Sequence, residues 1–178
     1  MKTLKLKNGE TIEIRRAVKE DGKALLEYVE CISGESDNLT FGPGEFKATV
    51  EQEESFLEHM SGQDNAIYLI AHNGKKVIGG LNFSGGPRPR KAHTGEFGIS
   101  VLKEYWGNGL GTELIKCLLE WCREGKTIRK INLRVRTDNY NAIHVYKKLG
   151  FVEEGTITRE FLINGSFYDT LAMGQCID

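Results

Sequence analysis

Three Asn-Gly pairs, Asn8-Gly9, Asn73-Gly74 and Asn164-Gly165, each stand between runs of strand-forming residues. Two successive residues that tolerate positive φ are what a tight type I′ hairpin needs. The pairs predict three antiparallel hairpins, joining residues 3–7 to 11–16, 66–72 to 77–83, and 156–163 to 167–173. Hairpins at the start, middle and end commit the chain to an antiparallel sheet. Two more strands are predicted over 95–102 and 130–136. There Phe97, Ile99 and Val101, then Ile131, Leu133 and Val135, alternate with more polar neighbours.

Between these runs the apolar period changes to that of a helix. Over 20–32, Ala24, Leu25, Tyr28, Val29 and Ile32 share one face. Residues 50–60, 109–124 and 139–149 show the same pattern, with Gly125 and Gly150 as expected helix ends. Residues 34–49 and 84–92 read as loops. The expected fold class is α+β, a mixed, mostly antiparallel sheet of about seven strands flanked by four helices. The 178 residues suit a single domain.

Charge excludes some functions. Twenty-four Lys and Arg stand against 25 Asp and Glu, so a general electrostatic nucleic-acid binder is not expected. The balance hides a strongly acidic segment, since residues 27–64 hold ten acidic side chains and one Lys. There is no signal-like apolar segment at the start and no apolar run long enough for a span, so no membrane partner is expected. The four cysteines lack C-x-x-C spacing and nearby His ligands, which points to reduced thiols, a cytoplasmic location and no metal.

The most informative stretch runs from a strand through Tyr105-Trp106-Gly107-Asn108-Gly109-Leu110-Gly111-Thr112 into a helix. Glycines at alternate positions let successive N–H groups point one way. The helix start adds unpaired N–H groups and a positive dipole end. Together they make an anion cradle suited to a pyrophosphate. The G-x-G-x-G spacing is neither the P-loop nor the dinucleotide fingerprint. Further on, Asn139, Ala142, Tyr146, Gly150 and Phe151 follow a strand and span a helix.

These two stretches resemble the GNAT-type N-acetyltransferases. Their acetyl-CoA loop reads Arg/Gln-x-x-Gly-x-Gly/Ala, and a later motif reads Asn-x-x-Ala-x-x-x-Tyr-x-x-x-Gly-Phe. The later motif matches in full. The loop matches at Gly109 and Gly111, with Trp106 where Arg or Gln is usual. The opening and closing segments also look like the family's, so the resemblance covers nearly the whole chain. It is similar to the ribosomal-protein and small-amine acetyltransferase branch.

The resemblance implies a GNAT-like domain, with residues 1–90 forming the acceptor side and 91–178 the acetyl-CoA-binding core and closing hairpin. It implies acetyl transfer from acetyl-CoA, as co-substrate, to a primary amine. The alternative is a non-catalytic acyl-CoA-binding or sensing module on the same fold. Glu96, or water, is the expected base and Tyr146 the expected acid for the leaving thiolate. The backbone N–H near Val101 is the expected oxyanion donor. Trp106, Gly107, Asn108, Gly109, Leu110, Gly111 and Thr112, with Asn139 and Ala142, are the expected cofactor contacts. Arg88, Arg90 and Lys91 are weaker candidates for the cofactor's 3′-phosphate, and Tyr168 and Asp169 for the acceptor pocket. Acidic residues Glu35, Asp37, Glu45, Glu51, Glu53 and Glu54 suit a cationic acceptor such as a polyamine, an aminoglycoside or a protein N-terminus. A homodimer is compatible with this branch.

Overall fold

A computed structural model describes residues 2–178 of the chain. It contains one eight-stranded sheet. In chain order the strands are β1 (Lys2–Lys5), β2 (Thr11–Arg16), β3 (Ala66–His72), β4 (Val77–Gly85), β5 (Thr94–Val101), β6 (Lys130–Arg136), β7 (Val152–Ile163) and β8 (Ser166–Cys176). Their spatial order is β1-β2-β3-β4-β5-β6-β8-β7. Every neighbouring pair is antiparallel except β5 and β6. The eight strands are those of the three expected hairpins and the two further strands, with β1 of the first hairpin at one edge.

All three Asn-Gly hairpins form, but only one has the expected turn. Asn164 and Gly165 both take positive φ, 49° and 78°. At the other two turns only the glycine does. There the asparagine side chain substitutes for the backbone twist. Asn8 Oδ1 accepts from Glu10 N at 3.0 Å, and Asn73 Oδ1 from Lys75 N and Lys76 N at 3.1 Å.

Four helices cover the sheet: α1 (Gly22–Ser33), α2 (Val50–Ser61), α3 (Leu110–Gly125) and α4 (Tyr140–Lys148). Gly125 is the last residue of α3 and not its cap. Lys126, at φ 55°, takes the left-handed position instead.

The two central glycines of β4 set how closely helices approach the two faces. A Cβ on Gly79 would lie 3.3 Å from Leu114 and 3.4 Å from Leu110 of α3. A Cβ on Gly80 would lie 3.4 Å from the Tyr28 ring of α1 and 3.5 Å from that of Tyr68. Thus α3 packs on one face, where Trp121 also meets Phe83 edge-on at 5.9 Å. The opposite face takes α1 and α2. Burying Leu110, Leu114, Ile115, Leu118 and Leu119 along α3 anchors it firmly, each fully buried aliphatic contributing about 1.5–3 kcal/mol.

Candidate active site

The parallel pair β5–β6 is short. It holds only Thr94↔Lys130, Gly95↔Ile131 and Glu96↔Asn132. Beyond Glu96, β5 stays with β4 as far as Val101, while β6 stays with β8 as far as Arg136. The sheet therefore opens into a wedge with Glu96 at its apex.

Successive residues of a strand direct their backbone groups to alternate sides. Leu102 N donates to Ile78 O beside β4 at 3.0 Å, so Val101 and Ile99 direct their N–H and C=O into the wedge. Trp106 marks this edge. Its half-exposed indole Nε1 donates to Val101 O at 2.6 Å, which ties the glycine loop to the end of β5.

The glycine loop itself has the expected shape. Gly107 and Gly109 take φ 75° and 85°, a conformation only glycine adopts cheaply. Asn108 Nδ2 donates to Tyr105 O and Trp106 O at 3.3 Å and braces the turn. Gly109 stands at the N-cap of α3 without a side-chain cap. Among the described residues, no hydrogen bond uses the backbone N–H groups from Gly107 to Thr112. Unpaired donors at a helix start, with the positive end of the dipole, suit an anion.

Across the wedge, the Asn139 side chain caps α4 by accepting from Ala142 N at 3.2 Å. Asn139→Ala is expected to lower stability by about 1 kcal/mol, seen as a melting temperature about 2–4 °C lower. A variant that melts with the parent would show the cap to be dispensable. Two turns on, the Tyr146 ring is buried edge-on against Phe97 at 6.0 Å and Phe151 at 6.1 Å. Its hydroxyl makes no hydrogen bond among the described residues, and it is not sealed from solvent. Burial pushes its pKa up to about 12, so the phenol keeps its proton at neutral pH.

Glu96 lies on the opposite face of β5 from Phe97. It is half-exposed, and its carboxylate is 3.5 Å from Arg134 Nε. Arg134 is also bonded to Glu160, which accepts a second hydrogen bond from the buried Thr170 hydroxyl. The arginine is thereby held beside the Glu96 carboxylate.

Some expected residues lie elsewhere. Arg88, Arg90 and Lys91 lead into the start of β5, so that strand, about 23 Å long, separates them from the glycine loop. Asp169 is spent on structure, its Oδ1 accepting from Arg159 N at 2.8 Å. Tyr168 approaches the loop between α1 and α2. Arg136 stacks 3.9 Å over its ring and donates to Asp37 O at 2.9 Å in the loop between α1 and α2. An open cavity of about 370 Å³ adjoins that loop and the start of α4.

The acidic set is heterogeneous. Glu35 accepts from Lys103 N at 2.6 Å, and Glu45 from Gly42 N at 2.7 Å. Glu51 is exposed, whereas Glu53 is buried. Among the described residues, no group of His, Cys, Asp or Glu is arranged to hold a metal, and no helix is long and apolar enough to cross a membrane.

An open sheet edge lies beside a row of free helix-start amides, with a protonated tyrosine opposite. Residues 34–151 match the model of the Acetyltransferase (GNAT) family, and the chain belongs to that family, whose members use acetyl-CoA as the acetyl donor. It is similar to the L-amino acid N-acetyltransferase AaaT of Escherichia coli (strain K12), at 33% identity over 118 residues, covering 66% of this chain and 73% of that protein. It is also similar to the spermidine N(1)-acetyltransferase of the same strain, at 28% identity over 168 residues, covering 92% and 84%. The crystal structure of a GNAT-family acetyltransferase from Streptococcus pneumoniae superimposes with a TM-score of 0.90 at 34% identity, covering 94% of this chain and 99% of that one.

Proposed function

We propose that this N-acetyltransferase moves the acetyl group of acetyl-CoA directly to a primary amine, with Glu96 or a water as base and Tyr146 as acid. The observation that carries this reading is the run of unpaired amides from Gly107 to Thr112 beside the open edge of β5. Those amides, with Trp106 bracing the loop, suit the pyrophosphate. The wedge-facing groups of Ile99 and Val101 suit the amides of the cofactor arm, and Asn139 and Ala142 border the same wedge. When bound, acetyl-CoA supplies the acetyl group as a thioester.

The chain's own residues supply proton management. An alkylamine attacks only when neutral, yet at pH 7 an amine of pKa ~10.4 is nearly all protonated. Glu96 at the wedge apex is placed to accept that proton at its carboxylate, directly or through water. The Val101 N–H, directed into the wedge, is placed to donate to the developing oxyanion. Tyr146 is placed to give its phenolic proton to the departing sulfur. The acceptor class follows the relatives, one named for amino acids and one for spermidine. A protein N-terminus or an aminoglycoside would present the same amine chemistry. The four free thiols support a cytoplasmic location. In this reading residues 1–90 serve the acceptor and 91–178 the cofactor, in a chain that can pair as a homodimer.

Thiol release from acetyl-CoA, screened against amines, amino acids and N-terminal peptides, tests the reading. Release with any amine eliminates the alternative of a non-catalytic acyl-CoA-binding module. Thermal stabilisation by acetyl-CoA without release from any acceptor would establish that alternative. In Glu96→Gln, kcat is expected to fall about 10- to 100-fold and the acidic limb of the pH–rate profile to vanish. Persistence of that limb unchanged would assign the proton to water.

A further inference from the structure

The core-facing stripe of α2 is Glu53, Leu57 and Met60, at the spacing i, i+4, i+7. Two of these are expected in a core and the first is not. Glu53 is only 6% exposed, yet it has no hydrogen bond to its carboxylate and no ion pair among the described residues. A carboxylate held among apolar groups without a partner is costly, and such groups cluster at functional sites; the Glu53 oxygens are not sealed from solvent. Burial pushes its pKa up, with no arginine or lysine to oppose the shift.

Its surroundings point toward the reaction centre. Phe56 of α2 packs edge-on against Tyr68 of β3 at 6.4 Å. Glu53 is near enough that its charge disfavours ionising the Tyr68 phenol. Tyr68 pairs across the sheet with Asn82, and Asn82 with Gly98 on β5, so this row crosses one face toward the wedge. The next row runs Ile70, Gly80, Ser100, and Tyr28 Oη lies 2.9 Å from Ser100 Oγ. The rings of Tyr28 and Tyr68 both rest on Gly80. Glu96 is on the same face, two residues along β5 from Gly98. Tyr68, Tyr28 and Glu96 therefore share the sheet face that α2 covers, and the polar row Asn82–Gly98 leads along it toward the open edge of β5.

We infer that Glu53 is a specificity-determining residue, binding a second positive charge of the acceptor at the α2 end of this face, away from the amine that is acetylated. The inference rests on the acetyltransferase reading above. Two strand spacings separate β3 from β5, so the two nitrogens would lie roughly 10 Å apart. That span fits a polyamine.

The test compares the intact parent with Glu53→Gln and Glu53→Met, using spermidine and butylamine as acceptors. The ratio of kcat/KM for spermidine to that for butylamine is expected to fall about 10- to 100-fold in both variants, the size of a lost charge-assisted contact. The fall should come through KM. Both variants are expected to melt at or above the parent's temperature, because each removes a buried charge. Lower activity with higher stability separates a ligand-binding role from a structural one. Glu51→Gln, which alters an exposed carboxylate of the same helix, is the control for a general field. A ratio within twofold of the parent in Glu53→Gln, or an equal fall in Glu51→Gln, would overturn the inference. If the parent releases no thiol with any amine, the catalytic reading fails first. Spermidine-induced thermal stabilisation then decides the matter for Glu53. Loss of that stabilisation in Glu53→Gln supports the site, and its retention, or its absence from the parent, overturns it.

Discussion

Tyr146→Phe is expected to lower kcat about 100-fold while leaving the melting temperature within about 1 °C of the parent. The two halves of this expectation have separate causes. The ring, wedged between Phe97 and Phe151, does the packing, and phenylalanine fills the same volume. The hydroxyl makes no hydrogen bond within the described chain, so its removal strands no partner. What is lost is a proton source. With its pKa pushed up to about 12, the phenol is protonated across the whole working range, and its loss cannot be mimicked by a change of pH. A leaving thiolate with a conjugate pKa of ~8.5 is basic enough to benefit from a positioned acid, but stable enough to depart slowly without one. That places the effect at the lower end of the general-acid range. Steady-state kinetics at saturating acetyl-CoA and amine, beside melting curves, measure both halves. A kcat equal to the parent's at pH 7 removes Tyr146 from the chemistry.

Most of this architecture was legible because it is local. The period of two over β5 and β6, and of 3.6 over α1 to α4, follows from single segments meeting a core. The Asn-Gly pairs located three hairpins, since either a positive φ or an asparagine side-chain bond closes the turn, while the antiparallel β4–β5 connection through residues 86–93 carries no such pair. Which of the two operates depends on the flanking strands, so the turn type at Asn8 and Asn73 was not legible. Neither was the left-handed Lys126. Gly125 was the natural cap by residue type, but α3 runs one residue further than that rule allows.

The harder features arise from contacts between distant segments. The wedge exists because β5 follows β4 while β6 follows β8, and no property of residues 97–101 alone reveals it. Trp106 looked like a departure from the family's loop. In space its indole closes the loop onto Val101 O, a bond that needs the turn to be formed first. Arg134 gave no signal as a neighbour of Glu96, because the two meet only through the parallel pairing of Glu96 with Asn132. Glu53 did leave a trace, since its spacing to Leu57 and Met60 put it on the apolar stripe. The dense acidic composition around it concealed that trace.

Gly111 separates the cofactor cradle from the fold more sharply than any other position. Gly107 and Gly109 are required by their positive φ, so side chains there would damage loop and binding together. Gly111 lies in the first turn of α3 with ordinary helical geometry. A Cβ on it would touch only Ile99 Cδ1, at 3.9 Å. The fold therefore gives no reason for glycine, and helix propensity argues against it by about 1 kcal/mol relative to alanine. Helical Cβ atoms lean toward the helix start, so this one would enter the space between the free amides and the open edge of β5. Gly111→Ala is expected to raise the melting temperature of the free protein by about 2–4 °C. Gly111→Val, whose branches reach further into the cradle, is expected to raise KM for acetyl-CoA about 10- to 100-fold, through loss of charge-assisted amide contacts worth about 1.5–3 kcal/mol. Because those contacts hold the cofactor equally before and during the reaction, kcat should change little. Acetyl-CoA titrations of initial rate, with melting curves of the free proteins, measure these effects. If Gly111→Val keeps the parent's KM for acetyl-CoA, the phosphates bind away from the start of α3. The unpaired amides from Gly107 to Thr112 would then need another anion.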